Sequence, residues 1–198
     1  MTPSLSRLIF AAAFSGIACV CAGDWRDAPP AGIRAGDIAF RSGNGPWTRF
    51  FVGASSRDKR FSHVGIVVPA PGCGVAIVHS EAGDFSGKGN VRADSWKVFF
   101  DGATDGAVYR PVFSDGAPES IVSCAMSRMG VVFDKDFDLS DTNRLYCSEF
   151  VREAVNEAAG RKLIGTTRVN GRDIVAIDDI YCEGFEKVFD FQRPNGSL

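Results

Sequence analysis

Between Leu145 and Gly160 the chain places a cysteine at the opening of a helix, and this stretch restricts the fold more than any other. Phe150, Val151, Ala154, Val155, Ala158 and Ala159 recur in adjacent pairs four apart, which puts them on one face of an amphipathic helix. Glu149, Arg152, Glu153, Asn156 and Glu157 fall on the other side. Gly160 supplies the stop, because glycine accepts the left-handed conformation beyond the last turn, and Arg161 and Lys162 suit the carbonyl end. Cys147 then sits where unsatisfied backbone N–H groups and the positive pole of the helix dipole favour a thiolate. Read by itself, a cysteine is more often a small buried hydrophobe than a nucleophile. A working thiol needs a histidine to take its proton and a polar group to hold the imidazole.

The chain has two histidines, His63 and His79, and both fall in one expected hairpin. Phe61 to Val68 is a β-branched run, Pro69 to Gly74 carries turn residues, and Val75 to Glu81 is a second strand. Side chains alternate along a strand, so His79 and Glu81 share a face, and one of them can stand opposite His63 if the register permits. A slip of one residue abolishes the arrangement. His79 could therefore take the part of either His63 or Glu81.

Length and composition fit one domain: 198 residues, 45% hydrophobic and 23% charged. The formal charge of −2 and the lack of a basic run argue against a nucleic-acid partner. Arg7 followed by the uncharged apolar run Leu8 to Ala22 has the form of a signal peptide and is too short to span a bilayer comfortably. The expected organisation is a signal peptide over residues 1–22, an extended lead-in over 23–35 with Pro29, Pro30 and Gly32, and one domain over 36–198. Val20 and Ala22 suit cleavage after Ala22. Gly16-Ile17-Ala18-Cys19 partly resembles a lipoprotein box, so lipidation at Cys19, with membrane association, is the second option. Either way the protein is expected to be exported, periplasmic or secreted. In an oxidising compartment Cys73, Cys124 and Cys182 could then form at most one disulfide if Cys147 works as a thiol.

Along the domain, Gly36 to Arg41 reads as a first strand, and Trp47 to Val52 as a short helix or lid whose Trp47, Phe50 and Phe51 could line an acyl groove. Ala82 to Asn90 is a glycine-rich loop, Ala107 to Val112 a strand, and Pro118 to Met129 a helix ended by Gly130. Arg172 to Tyr181 reads as a short helix and Phe185 to Phe191 as the last strand. Strands and helices are mixed without regular alternation, which implies an α+β fold with an antiparallel sheet and helices packed to one side.

Five pieces in order, Gly36-Asp37-Ile38-Ala39-Phe40-Arg41, Ser62-His63-Val64-Gly65-Ile66, Ser80-Glu81-Ala82 with Val91 and Trp96 after it, Tyr109-Arg110 and Tyr146-Cys147-Ser148-Glu149-Phe150, resemble the permuted papain-like cysteine hydrolases, the YiiX/YebB-like group related to the NlpC-type cell-wall peptidases. The resemblance covers roughly residues 36 to 155 in the family's order, histidine first and cysteine last. It implies a circularly permuted papain-like fold, Cys147 as nucleophile, His63 as general base and Glu81 as the group that orients the imidazole. His79 falls on no family position.

The expected activity is hydrolysis of an amide or ester bond through a thioacyl intermediate, on cell-wall peptides or lipid-linked acyl groups, with no cofactor. The backbone N–H of Cys147 is the first oxyanion donor, and Tyr109, Tyr146 and Trp47 are candidates for further donors or substrate contacts. Such a thiol is expected to react with alkylators well below the free-thiol pKa of ~8.5. Two other readings are weighed: a non-catalytic envelope binding domain that keeps the fold, and a zinc site from His63, His79, Glu81 and Cys147. No metal is expected, because the spacing matches no compact zinc motif. Asp134, Asp136, Asp138 and Asp141 lack the glycine and terminal glutamate of a calcium loop.

Overall fold

The computed structural model describes residues 24–43, 45, 47–72, 74–84, 86–113, 116–181 and 183–191. The expected signal peptide, Cys19, Cys73 and Cys182 lie outside the described residues. Six strands form one sheet: β1 (Ile38–Ser42), β2 (His63–Ala70), β3 (Gly74–Ser80), β4 (Val91–Ser95), β5 (Asp105–Pro111) and, last in the chain, β8 (Phe185–Asp190). Their order is β4-β3-β2-β1-β5-β8, with every neighbouring pair antiparallel. The helices are α1 (Thr48–Ala54), α2 (Trp96–Phe100), α3 (Ala117–Ser127), α4 (Cys147–Ala159) and α5 (Ile177–Ile180). A small hairpin of β6 (Thr167–Val169) and β7 (Arg172–Ile174) precedes α5.

Strand alternation divides the interior in two. Ile38, Phe40, Val64, Ile66, Val68 and Val78 face α3 and α4, where they meet Ile121, Ala125, Phe150, Val151, Ala154 and Val155. Ala39, Val67, Ile77 and Val108 point the other way, against Trp96, Phe99 and Phe100 of α2 and against Phe191. The expectation of helices on one side only is therefore corrected. Trp96, Phe99 and Phe100 are too apolar to be left in a loop, and they close the second face.

The segment before β1 belongs to that second core. Trp25 stacks on Phe191 at 4.2 Å, and its carbonyl accepts the Trp96 indole N–H at 2.9 Å. Residues 172–181 also depart from the expected helix. Asn170 and Gly171 both have positive φ, 49° and 81°, which is the two-residue hairpin turn that Asn-Gly favours, so β6 and β7 pair and only Ile177–Ile180 is helical. Cys124 carries a free, buried thiol.

Candidate active site

Cys147 is the first residue of α4, and the chain pins that end firmly. The Tyr146 hydroxyl accepts the N–H of Val175 at 2.7 Å, the Ser148 hydroxyl donates to the Val175 carbonyl at 2.7 Å, and Ser80 donates to the Leu145 carbonyl at 2.5 Å. Glu149, expected on the solvated side, is buried and turns back toward the Tyr146 N–H. Burial pushes its carboxyl up to about 8.

The Cys147 sulfur is fully buried and has the backbone N–H groups of Ser148 and Val64 turned toward it. Val64 follows His63 at the opening of β2, so α4 delivers the thiol to the backbone that carries the histidine. The expectation of a resting thiolate is corrected. Burial pushes the thiol up to about 12 and the Glu81 charge adds to this, outweighing the two N–H groups and Arg41, which act in the opposite sense. A dipole at a helix end favours charge only as long as water or a counter-ion completes the solvation, and here the side chain is dry.

His63 and Glu81 do converge, with 3.7 Å between Nε2 and a carboxylate oxygen. His79, which matched no family position, comes closer: its Nδ1 is 2.8 Å from His63 Nε2. The far nitrogen of His79, Nε2, is 3.0 Å from Asp94, itself held by Arg92. This fixes the protons, because Asp94 can only accept. His79 donates from Nε2, its Nδ1 is left as an acceptor, and His63 must donate from Nε2. Gly65 makes the approach possible, since a side chain there would meet Ile77 at 2.6 Å and the His79 Cβ at 3.0 Å. Burial, with Arg41 adding to it, holds His63 well below the ordinary imidazole value, and burial lowers His79 as well. Both rings are neutral.

Arg41 lies across the cluster. It is paired with Glu81 at 3.2 Å and sits 5.2 Å above the Phe99 ring. A cleft lined by Arg41, Trp47, Thr48, Ser62, His63 and Glu81 opens on this group. The Trp47 indole N–H is buried without an acceptor among the described residues. Two other expected contacts are displaced. Tyr109 pairs with Ile38, three residues along β1 from Arg41, or about 10 Å at strand spacing, and it stacks on Tyr181. Tyr146 faces the core and its hydroxyl is committed to Val175.

For a metal ion, the ligand atoms that converge are one from each of His63, His79 and Glu81, all within 4.8 Å of one another; the Cys147 sulfur is not part of this set. Sequence spacing missed Asp94 entirely, because nothing before folding shows that β4 pairs with β3. The alternation of Arg92 and Asp94 beside Val91 and Ala93 was the available signal.

Residues 32–183 match the family model of the permuted papain-like amidase enzymes, the YaeF/YiiX or C92 family. The chain belongs to this family. It is thus a papain-like cysteine amidase or peptidase by family, with the permuted fold expected from its motifs. A solved structure described as the metalloprotein YiiX from Escherichia coli O157:H7 (DUF1105) shares the fold, at a TM-score of 0.65 and 16% identity, over 81% of this chain and 98% of that one. No curated protein matches the chain in sequence.

Proposed function

We propose that this member of the family is an exported thiol hydrolase in which Cys147 attacks an acyl carbon and His63 moves the proton. The observation that carries the reading is the tautomer chain. With Nε2–H given to His79 and Asp94 behind it, the other nitrogen of His63, Nδ1, holds a lone pair free to act as base. The resting pair is neutral, so thiol deprotonation and attack are coupled, as in a serine hydrolase, and do not start from a stored thiolate.

The Cys147 S–H proton passes to His63 Nδ1 while sulfur bonds to the acyl carbon and the carbonyl oxygen takes the negative charge. The imidazolium then protonates the leaving amine or alcohol, and a thioester remains. Water, deprotonated by His63, attacks that thioester and returns the thiol. Glu81, 3.7 Å from His63 Nε2, stabilises the imidazolium. The Cys147 backbone N–H at the helix opening serves as the oxyanion donor, and the Trp47 indole N–H, which lines the cleft and has no acceptor among the described residues, is the candidate for the second. The family supports hydrolysis of an amide; the apolar run before Ala22 supports export and an envelope substrate, a cell-wall peptide or an acylated lipid.

The E. coli neighbour is described as a metalloprotein. In this chain His63, His79 and Glu81 are the residues that would hold an ion. When bound, a zinc-type ion supplies Lewis acidity. The test of the hydrolase reading uses chelator-treated protein, incubated with cell-wall peptide fragments and with acylated lipids, with products identified by mass spectrometry. Release from one set by the native chain, and none by Cys147→Ala, is expected. Equal release by both proteins overturns Cys147 as the nucleophile, and release from neither set overturns the reading in favour of a binding domain.

A further inference from the structure

We propose that His63, His79 and Glu81 form a binding site for a zinc-type divalent cation, and that the ion switches the hydrolase off by taking the lone pair of the general base. The second half rests on the thiol-hydrolase reading; the first does not.

The cluster has the size such an ion needs. The three ligand atoms are separated by 2.8, 3.7 and 3.9 Å. The point equidistant from them in their plane lies about 2 Å from each, and zinc–nitrogen and zinc–carboxylate bonds are ~2.0–2.2 Å. An ion displaced slightly toward the cleft would keep those bond lengths and leave its fourth position to water or substrate. Two imidazoles and a carboxylate are a common protein donor set for such an ion.

The His79 ring is also held by its outer hydrogen bond. A ligating imidazole usually donates its other N–H to a carboxylate, which fixes the lone pair on the metal side. His79 does this toward Asp94 at 3.0 Å, so its Nδ1 keeps an unprotonated lone pair on the side of His63 and Glu81 whether or not an ion is there. Only His63 must change. In the metal-free protein its proton is on Nε2. To bind the ion through Nε2 a neutral imidazole must carry its proton on Nδ1, the nitrogen that serves as base in the proposed hydrolase mechanism. A base whose lone pair is on the metal cannot take a proton from Cys147. Bound ion and active base are therefore alternative tautomers of one ring, and no movement of the backbone is needed to pass between them.

Arg41 opposes occupancy, because its guanidinium pairs with the same Glu81 oxygen that faces the centre. Its presence keeps the affinity moderate, which is what a site that empties and fills requires.

The experiment measures binding apart from turnover. Chelator-treated protein is titrated with Zn²⁺ by calorimetry and with Co²⁺ by visible absorption, using the native chain, Cys147→Ala, His79→Gln, Asp94→Asn and Arg41→Gln. One ion per chain is expected, with a cobalt spectrum unchanged in Cys147→Ala and lacking a thiolate charge-transfer band. His79→Gln should lose at least about 100-fold in affinity, and Asp94→Asn about 10–100-fold; Asp94→Asn serves if His79→Gln does not fold. Arg41→Gln should bind more tightly. The native hydrolase should lose activity in step with the binding isotherm. Absence of one-to-one binding, affinity indifferent to both His79→Gln and Asp94→Asn, or loss of the ion in Cys147→Ala overturns the site. Binding as expected with activity unaffected or raised by the ion overturns the switch. Binding as expected with no thiol-dependent turnover by the metal-free protein overturns the hydrolase reading and leaves the site standing.

Discussion

At the scale of single residues, the site is governed by how little water reaches it. Cys147 has the helix end and two backbone N–H groups in its favour, yet burial and the charge of Glu81 hold it protonated. Removing that charge should show its weight. In chelator-treated Glu81→Gln, alkylation of Cys147 by iodoacetamide at pH 8 should be several-fold faster than in the native chain, because Arg41 then acts on the thiolate unopposed. Turnover by the same variant should fall, since the imidazolium loses its nearest carboxylate. Alkylation that is unchanged or slower would show that Glu81 does not act on the sulfur. For His79, which positions His63 through the 2.8 Å bond, substitution by Gln should lower kcat by about 10²-fold with KM little changed, the range in which general-base assistance operates. A KM effect alone would assign His79 to substrate contact.

At the scale of elements, α4 and the β2–β3 hairpin carry the site, and each can be weakened at a chosen point. Glu149 in the first turn of α4 is held protonated up to about pH 8, whereas a free carboxyl ionises near 4.5. The folded state therefore binds this proton more tightly than the unfolded one. Its contribution to stability is complete below pH 4.5 and is lost as the pH rises toward 8. Glu149→Gln cannot ionise, so its stability relative to the native chain should improve by about 1–3 kcal/mol between pH 5 and pH 9, read from urea unfolding. A difference independent of pH would mean that Glu149 is ionised in the fold. In the hairpin, Gly65→Ala puts a methyl against Ile77 and His79. It should cost about 1–3 kcal/mol and lower turnover together with stability, because the displaced ring is the one that holds His63.

Across the whole molecule, the sheet is a wall between two cores with different duties. Phe150, Val151, Ala154 and Val155 on one side anchor the nucleophile's helix. On the other, Trp25, Trp96, Phe100 and Phe191 lock the first and last described segments to the sheet, and Phe99 packs against both histidines, at 5.6 and 5.1 Å. Trp25 is far from the chemistry in this scheme. Trp25→Ala should cost about 1–3 kcal/mol through the lost ring contacts while kcat stays within two-fold, measured by thermal unfolding and steady-state turnover. A large fall in kcat at retained stability would tie the second core to catalysis.

The sequence determined what is local or periodic. The helix from Cys147 to Ala159, its end at Gly160 and the β2–β3 hairpin are written in spacing of 3.6 or 2 and in turn residues, and the family motifs add their order along the chain. The register that brings both His79 and Glu81 to His63 came only with the folded sheet. Tertiary structure decided what depends on non-local neighbours. β4 had to pair with β3 before Asp94 could set the proton on His79, and α2 had to cover the second face before the histidines became dry. The charge state of Cys147 belongs to this second group, because a helix end favours a thiolate at any position, but only the packed fold determines whether that sulfur meets water.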